Sequence, residues 1–139
     1  MDRELQQLLD DATELKRIKS HFFKVDILPT EEETDKLREL SNKGFLTASY
    51  LLGVSYFFGI NVAVNPYEVD YYFQKVINNK DADKSLLFLM ANYYAALGDE
   101  WKDKAMLSLN LASNKGHEFA KRMLKRMEED PYVPEGEVC

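Results

Sequence analysis

Residues that carry out covalent or metal chemistry are few in this chain, and their spacing assembles no catalytic set. The two histidines, His21 and His117, lie far apart in sequence, and the one cysteine is the last residue, Cys139. A lone cysteine allows neither an intramolecular disulfide nor a cluster of thiolate ligands for zinc. No His-Glu-x-x-His pair and no glycine-rich phosphate cradle occurs, so metal-assisted hydrolysis and nucleotide binding both lack their minimum parts. Carboxylates gather at Glu31-Glu32-Glu33 with Asp35, at Asp81 and Asp83, at Asp99-Glu100 with Asp103, and at Glu128-Glu129-Asp130. General acid–base catalysis needs two of them aimed into one cleft, and no spacing here imposes that. Acidic residues also favour the first turn of a helix through the macrodipole, which accounts for the first and third clusters. The last falls at a predicted helix C-terminus, where the dipole disfavours it, and reads as a contact surface. The expectation is a protein that is not an enzyme, with no metal and no cofactor.

Binding is the chemistry that remains. The net charge of −6 disfavours nucleic acid as a direct partner, because phosphate recognition needs a basic surface, and it favours a basic protein instead. At 139 residues, 45% hydrophobic and 30% charged, with four prolines and six glycines, the chain fits one folded domain, 1–139, built of long regular elements. Met1-Asp2-Arg3-Glu4 opens in charged residues without the apolar core of a signal peptide, and no apolar run approaches a membrane span. A cytoplasmic protein is expected.

The elements that must position a binding surface are helices, since apolar residues recur three and four apart and alternating strand-like runs are missing. The first helix is predicted from Asp2 to Phe23, with Leu5, Leu8, Leu9, Ala12, Leu15, Ile18 and Phe22 on one stripe. Asp26-Ile27-Leu28-Pro29 breaks it, and Thr30 can cap a second helix starting at Glu31. From there the chain is periodic: Gly44 and Gly116 stand two periods of 36 residues apart, each closing an identical Ser-Asn-Lys-Gly. Ala48 and Leu52 follow the first, and Ala120 and Leu124 follow the second. Between them, Asn78-Asn79-Lys80 leads into Ser85 and Leu89 once one inserted residue is allowed. Glycine just past a helix end adopts a left-handed conformation at no steric cost, which explains both copies. Further helices are predicted at 48–59, at 67–78 with Asn65 as cap and Pro66 at the first position, at 82–97, at 100–114 with Asp99 as cap, and at 117–127. Gly53 in mid-helix costs about 1 kcal/mol against alanine, which is tolerated where a neighbour needs the space.

Ala48, Leu52-Gly53, Tyr56 and Gly59, and then Lys104-Ala105, Ala112, Gly116-His117 and Ala120, resemble the Sel-one-like repeat, a relative of the tetratricopeptide repeat. Asn61 departs from it where a second glycine is usual, Met90 replaces the middle unit's glycine, and Ser108 replaces an aromatic. The resemblance implies an all-α, short right-handed α-solenoid of about two and a half helix-hairpin repeats. Its parts would be an N-terminal capping helix and linker at 1–30, the repeat array at 31–128 and an irregular tail at 129–139. Such proteins act mostly as scaffolds and adaptors, and small bacterial ones act as immunity proteins. Taken with the small size, the acidic charge and the lack of catalytic parts, the expectation is one protein partner, a basic toxin domain such as a nuclease, with a cytoplasmic scaffold or regulatory adaptor as the alternative.

The candidate contact residues are aromatic and charged. Tyr56 and Tyr93 fall on the repeat's packing position, whereas Tyr50, Phe57 and Tyr94 fall on the face that lines the groove of stacked hairpins, where large aromatics serve as anchors. The equivalent face of the last helix carries Arg122 and Arg126. Glu128, Glu129 and Asp130 complete the expected partner-binding set. His117 sits where the resembled family often has histidine for structural reasons.

Overall fold

The computed structural model describes residues 2–23 and 28–129. Among them the regular structure is helical and no strand occurs, so the all-α class holds. The helices are α1 (Arg3–His21), α2 (Glu31–Asn42), α3 (Leu46–Phe58), α4 (Pro66–Ile77), α5 (Lys84–Leu97), α6 (Lys102–Asn114) and α7 (Glu118–Glu129). They gather into two compact units, Met1–Lys80 with α1 to α4 and Asp81–Cys139 with α5 to α7. Within the units α3 packs chiefly on α4, and α5 on α6.

Local sequence signals set most boundaries. Thr30 and Glu33 form a reciprocal capping box, with the Glu33 amide donating to Thr30 Oγ1 at 3.1 Å and the Thr30 amide to Glu33 Oε1 at 2.8 Å. Asn65 Oδ1 accepts from the amides of Tyr67 and Glu68, with Pro66 opening α4. Asp99 does not cap α6 as expected: a 3-10 turn, Asp99–Trp101, intervenes, and the cap position falls on Trp101. The helix predicted to stop at Met127 continues to Glu129, so the irregular tail expected from 129 begins no earlier than 130; residues 130–139 lie outside those described.

The two Ser-Asn-Lys-Gly turns are built alike. Gly44 and Gly116 have φ of 98° and 94°, and the amides of Gly44 and Phe45 bond Ser41 and Leu40 carbonyls as those of Gly116 and His117 bond Ser113 and Ala112. Asn61 also takes the left-handed region, at φ 61°, and its side chain explains the departure from glycine. Its Nδ2 donates to the Pro29 carbonyl at 2.7 Å and to Thr34 Oγ1 at 3.1 Å, tying the loop after α3 to the start of α2. Asn61→Gly keeps the backbone geometry but removes both bonds, so thermal melts should show a loss of about 1–2 kcal/mol.

In α3 every residue from Ala48 to Ser55 is buried, so the helix has no exposed face over two turns. Gly53 is needed there because a Cβ would stand 2.2 Å from Cε1 of the buried Phe73 ring on α4; the close neighbour is a ring rather than a backbone. In the second unit the corresponding position is the buried Met90, and the small residue lies on the facing helix: Ser108, fully buried, donates its hydroxyl to the Leu87 carbonyl of α5 at 2.6 Å.

The apolar stripe expected along α1 is buried only at Leu15 and Ile18; Leu5, Leu8 and Leu9 are about half exposed. Besides Leu15 and Ile18, buried carboxylates hold the helix to α2. Asp11 receives Lys43 Nζ at 2.7 Å and Lys36 Nζ at 3.5 Å. Glu33, besides its capping role, receives Arg17 Nη1 at 2.9 Å and pairs with His21 Nδ1 at 2.8 Å. The Lys43 hydrogen bond holds the Asp11 carboxyl below its ordinary range against a smaller desolvation effect. Burial pushes the Glu33 carboxyl up, but the Thr30 amide, His21 and Arg17 together outweigh it and the net direction is down.

Candidate binding surface

α4 buries Val69, Phe73, Val76 and Ile77, a stripe at i, i+4, i+7 and i+8. The same phase turns Tyr67, Tyr71 and Lys75 to the opposite side, and the two tyrosines are 69% and 54% exposed. Around them lies an ordered aromatic cluster. Tyr72 meets Tyr71 edge-on with ring centroids 5.0 Å apart and stacks on Tyr56, from the last turn of α3, at 5.8 Å. Lys75 Nζ stands 5.1 Å from the Tyr71 ring centre and 5.9 Å from that of Tyr72. Arg38 Nη2 reaches Tyr56 Oη at 3.5 Å, an interaction that raises the arginine's pKa. Burial and the neighbouring Tyr56 push the Tyr72 phenol up, so that hydroxyl stays uncharged near neutral pH. Rigid tyrosines with apolar bodies and polar tips supply contact area at small entropic cost.

The groove anchors expected from sequence lie elsewhere. Tyr50 is 3% exposed and stacks on Phe73 with centroids 5.9 Å apart; Tyr94 is 0% exposed and stacks on Trp101 at 6.2 Å. Both are core residues, because α3 is wrapped on all sides and Tyr94 continues the buried Leu87, Met90, Ala91 stripe of α5. Tyr56 and Tyr93, expected at the packing position, are instead only half-buried. Phe57 is half-buried and meets the exposed Phe58 edge-on at 4.9 Å. Tyr50→Ala is therefore expected to lower stability rather than to weaken a complex selectively.

Arg122, Arg126 and Glu128 are exposed on α7. Glu129 ends that helix, and Asp130 lies outside the described residues. Arg122 is 5.5 Å from the Phe119 ring centre. His117 has a structural role: its Nδ1 accepts the Ala120 amide at 3.1 Å and caps α7. His21 and Glu33 lie beside a cleft of about 430 Å³ lined also by Glu14, Arg17 and Lys36, but the Glu33 oxygens are taken up by Thr30, Arg17 and His21. Among the described residues no group of three His, Cys, Asp or Glu side chains could hold a metal, and no helix is long and apolar enough to cross a membrane. No family profile, no curated protein and no solved structure matches the chain.

Proposed function

We propose that this chain is a non-catalytic protein-binding module, a short right-handed α-solenoid of Sel-one-like hairpins acting in the cytoplasm. It serves as an immunity protein that holds one cognate basic toxin through the tyrosine face of α4 and the end of α3. The observation that carries the binding surface is the exposure of Tyr67 and Tyr71 beside the ordered Tyr56, Tyr72 pair, since tyrosine is a characteristic hot-spot residue at protein interfaces. The net charge of −6 and Glu68 and Asp70 on the same helix suit a basic partner. The repeat reading is supported by the two turns that match bond for bond at Gly44 and Gly116.

Affinity capture from the protein's own cells, with quantitative mass spectrometry, tests the reading. One dominant partner with a basic catalytic domain is expected, and it is expected to be lost when Tyr67→Ala and Tyr71→Ala are combined. Several unrelated partners retained by the wild type would favour a scaffold or regulatory adaptor instead.

A further inference from the structure

Helix α7 carries Lys121, Arg122, Lys125 and Arg126 within six residues of a chain whose net charge is −6. Lys121 lies 3.6 Å from Glu118, whereas Arg122, Lys125 and Arg126 make no ion pair among the described residues. The cations border a row of stacked groups. The Arg122 guanidinium lies over Phe119, Phe119 meets Phe88 of α5 edge-on at 5.5 Å, and Phe88 stacks on His117 at 4.4 Å and 15°. Because the His117 ring is fixed by its bond from the Ala120 amide, the row is preorganised rather than adaptable. Phe119 nevertheless leaves 52% of its surface to solvent, although it sits at the centre of the row.

We infer that this face of α7 binds an extended acidic peptide segment bearing an apolar or aromatic side chain. Arg122 and Arg126 are one turn apart, about 6 Å along the axis. Same-side residues of an extended chain repeat at about 7 Å, so carboxylates at alternate positions reach both guanidiniums. The apolar side chain then covers Phe119 and displaces water from around the ion pairs, which strengthens them. A short acidic segment is favoured over a nucleic acid or an anionic membrane, since a protein of net charge −6 repels extended polyanions at long range. This surface belongs to the second unit, and the tyrosine face to the first.

The test is fluorescence anisotropy with the full chain and a fluorescein-labelled peptide of alternating glutamate and serine containing one tyrosine. The wild type should bind it, more weakly as salt is added, and any binding of the counterpart in which lysine replaces glutamate should not be weakened by Arg122→Glu. Arg122→Glu and Phe119→Ala should each weaken binding about tenfold. Lys102→Glu makes the same charge change at the exposed start of α6, outside the stacked row, and should leave affinity unaltered. The inference is overturned if the glutamate peptide does not bind, or if Lys102→Glu weakens it as much as Arg122→Glu. It is equally overturned if a single-stranded oligonucleotide or phosphatidylserine vesicles bind this face more tightly than the peptide.

Discussion

Gly53→Ala should destabilise the protein by about 1–3 kcal/mol, and the same substitution should stabilise it by about 1 kcal/mol once Phe73 is replaced by valine. The sign reversal follows from the geometry. An alanine Cβ at position 53 would meet Phe73 Cε1 at 2.2 Å and Cδ1 at 2.5 Å, so the ring must move. That ring is fully buried and stacked against Tyr50, leaving it little room. Phe73→Val removes the obstructing atoms, itself at a cost of about 2–4 kcal/mol. Only the ordinary helix-propensity gain of alanine over glycine then remains. Urea unfolding of the two single variants and the double variant measures the coupling. Equal destabilisation by Gly53→Ala in both backgrounds would remove the steric account.

The second large effect is expected at Glu33. Glu33→Ala deletes half of a capping box and leaves Arg17 and His21 without their shared carboxylate, which should cost about 2–4 kcal/mol in unfolding experiments. The pH dependence has a definite sign. The folded-state pKa values of Glu33 and Asp11 are lowered, so their contribution is fully present above the ordinary carboxylate range, about 3.9–4.3. It is lost as pH falls through the lower folded-state values. The stability gap between wild type and Glu33→Ala should therefore narrow on acidification below about pH 4. A gap that widened in acid would show that Glu33 is not held as a carboxylate.

Much of the helical plan was legible because it is written in local signals: the Thr30 to Glu33 box, Asn65-Pro66, and the repeated Ser-Asn-Lys-Gly. These act within one turn and need no tertiary partner. The binding surface was less legible because it depends on which part of a helix is covered. Spacing alone puts Tyr50 on one face of α3 with Phe57, but that helix has no exposed face before its last turn. The warning was in the sequence, since no charged residue occurs from Phe45 to Tyr67, and a helix apolar all round is buried. Tyr94 was recoverable from the i, i+3, i+4, i+7 pattern of Leu87, Met90 and Ala91. Tyr67 and Tyr71 were likewise recoverable from the phase of Val69 and Phe73. The α1 stripe misled for a different reason: leucine spacing gives a continuous apolar face, whereas docking rests on Leu15, Ile18 and ion pairs to residues far along the chain, and sequence separation hides such pairs.

The exposed Tyr67 and Tyr71 of α4 are the proposed hold on a protein partner. The most direct measurement is the dissociation constant of the purified complex for wild type and for the combined Tyr67→Ala and Tyr71→Ala variant, with circular dichroism confirming equal helicity. A rise of about a hundredfold is predicted, each tyrosine contributing about 1.4 kcal/mol. An unchanged constant in a folded variant would mean that the partner is held elsewhere than at these tyrosines.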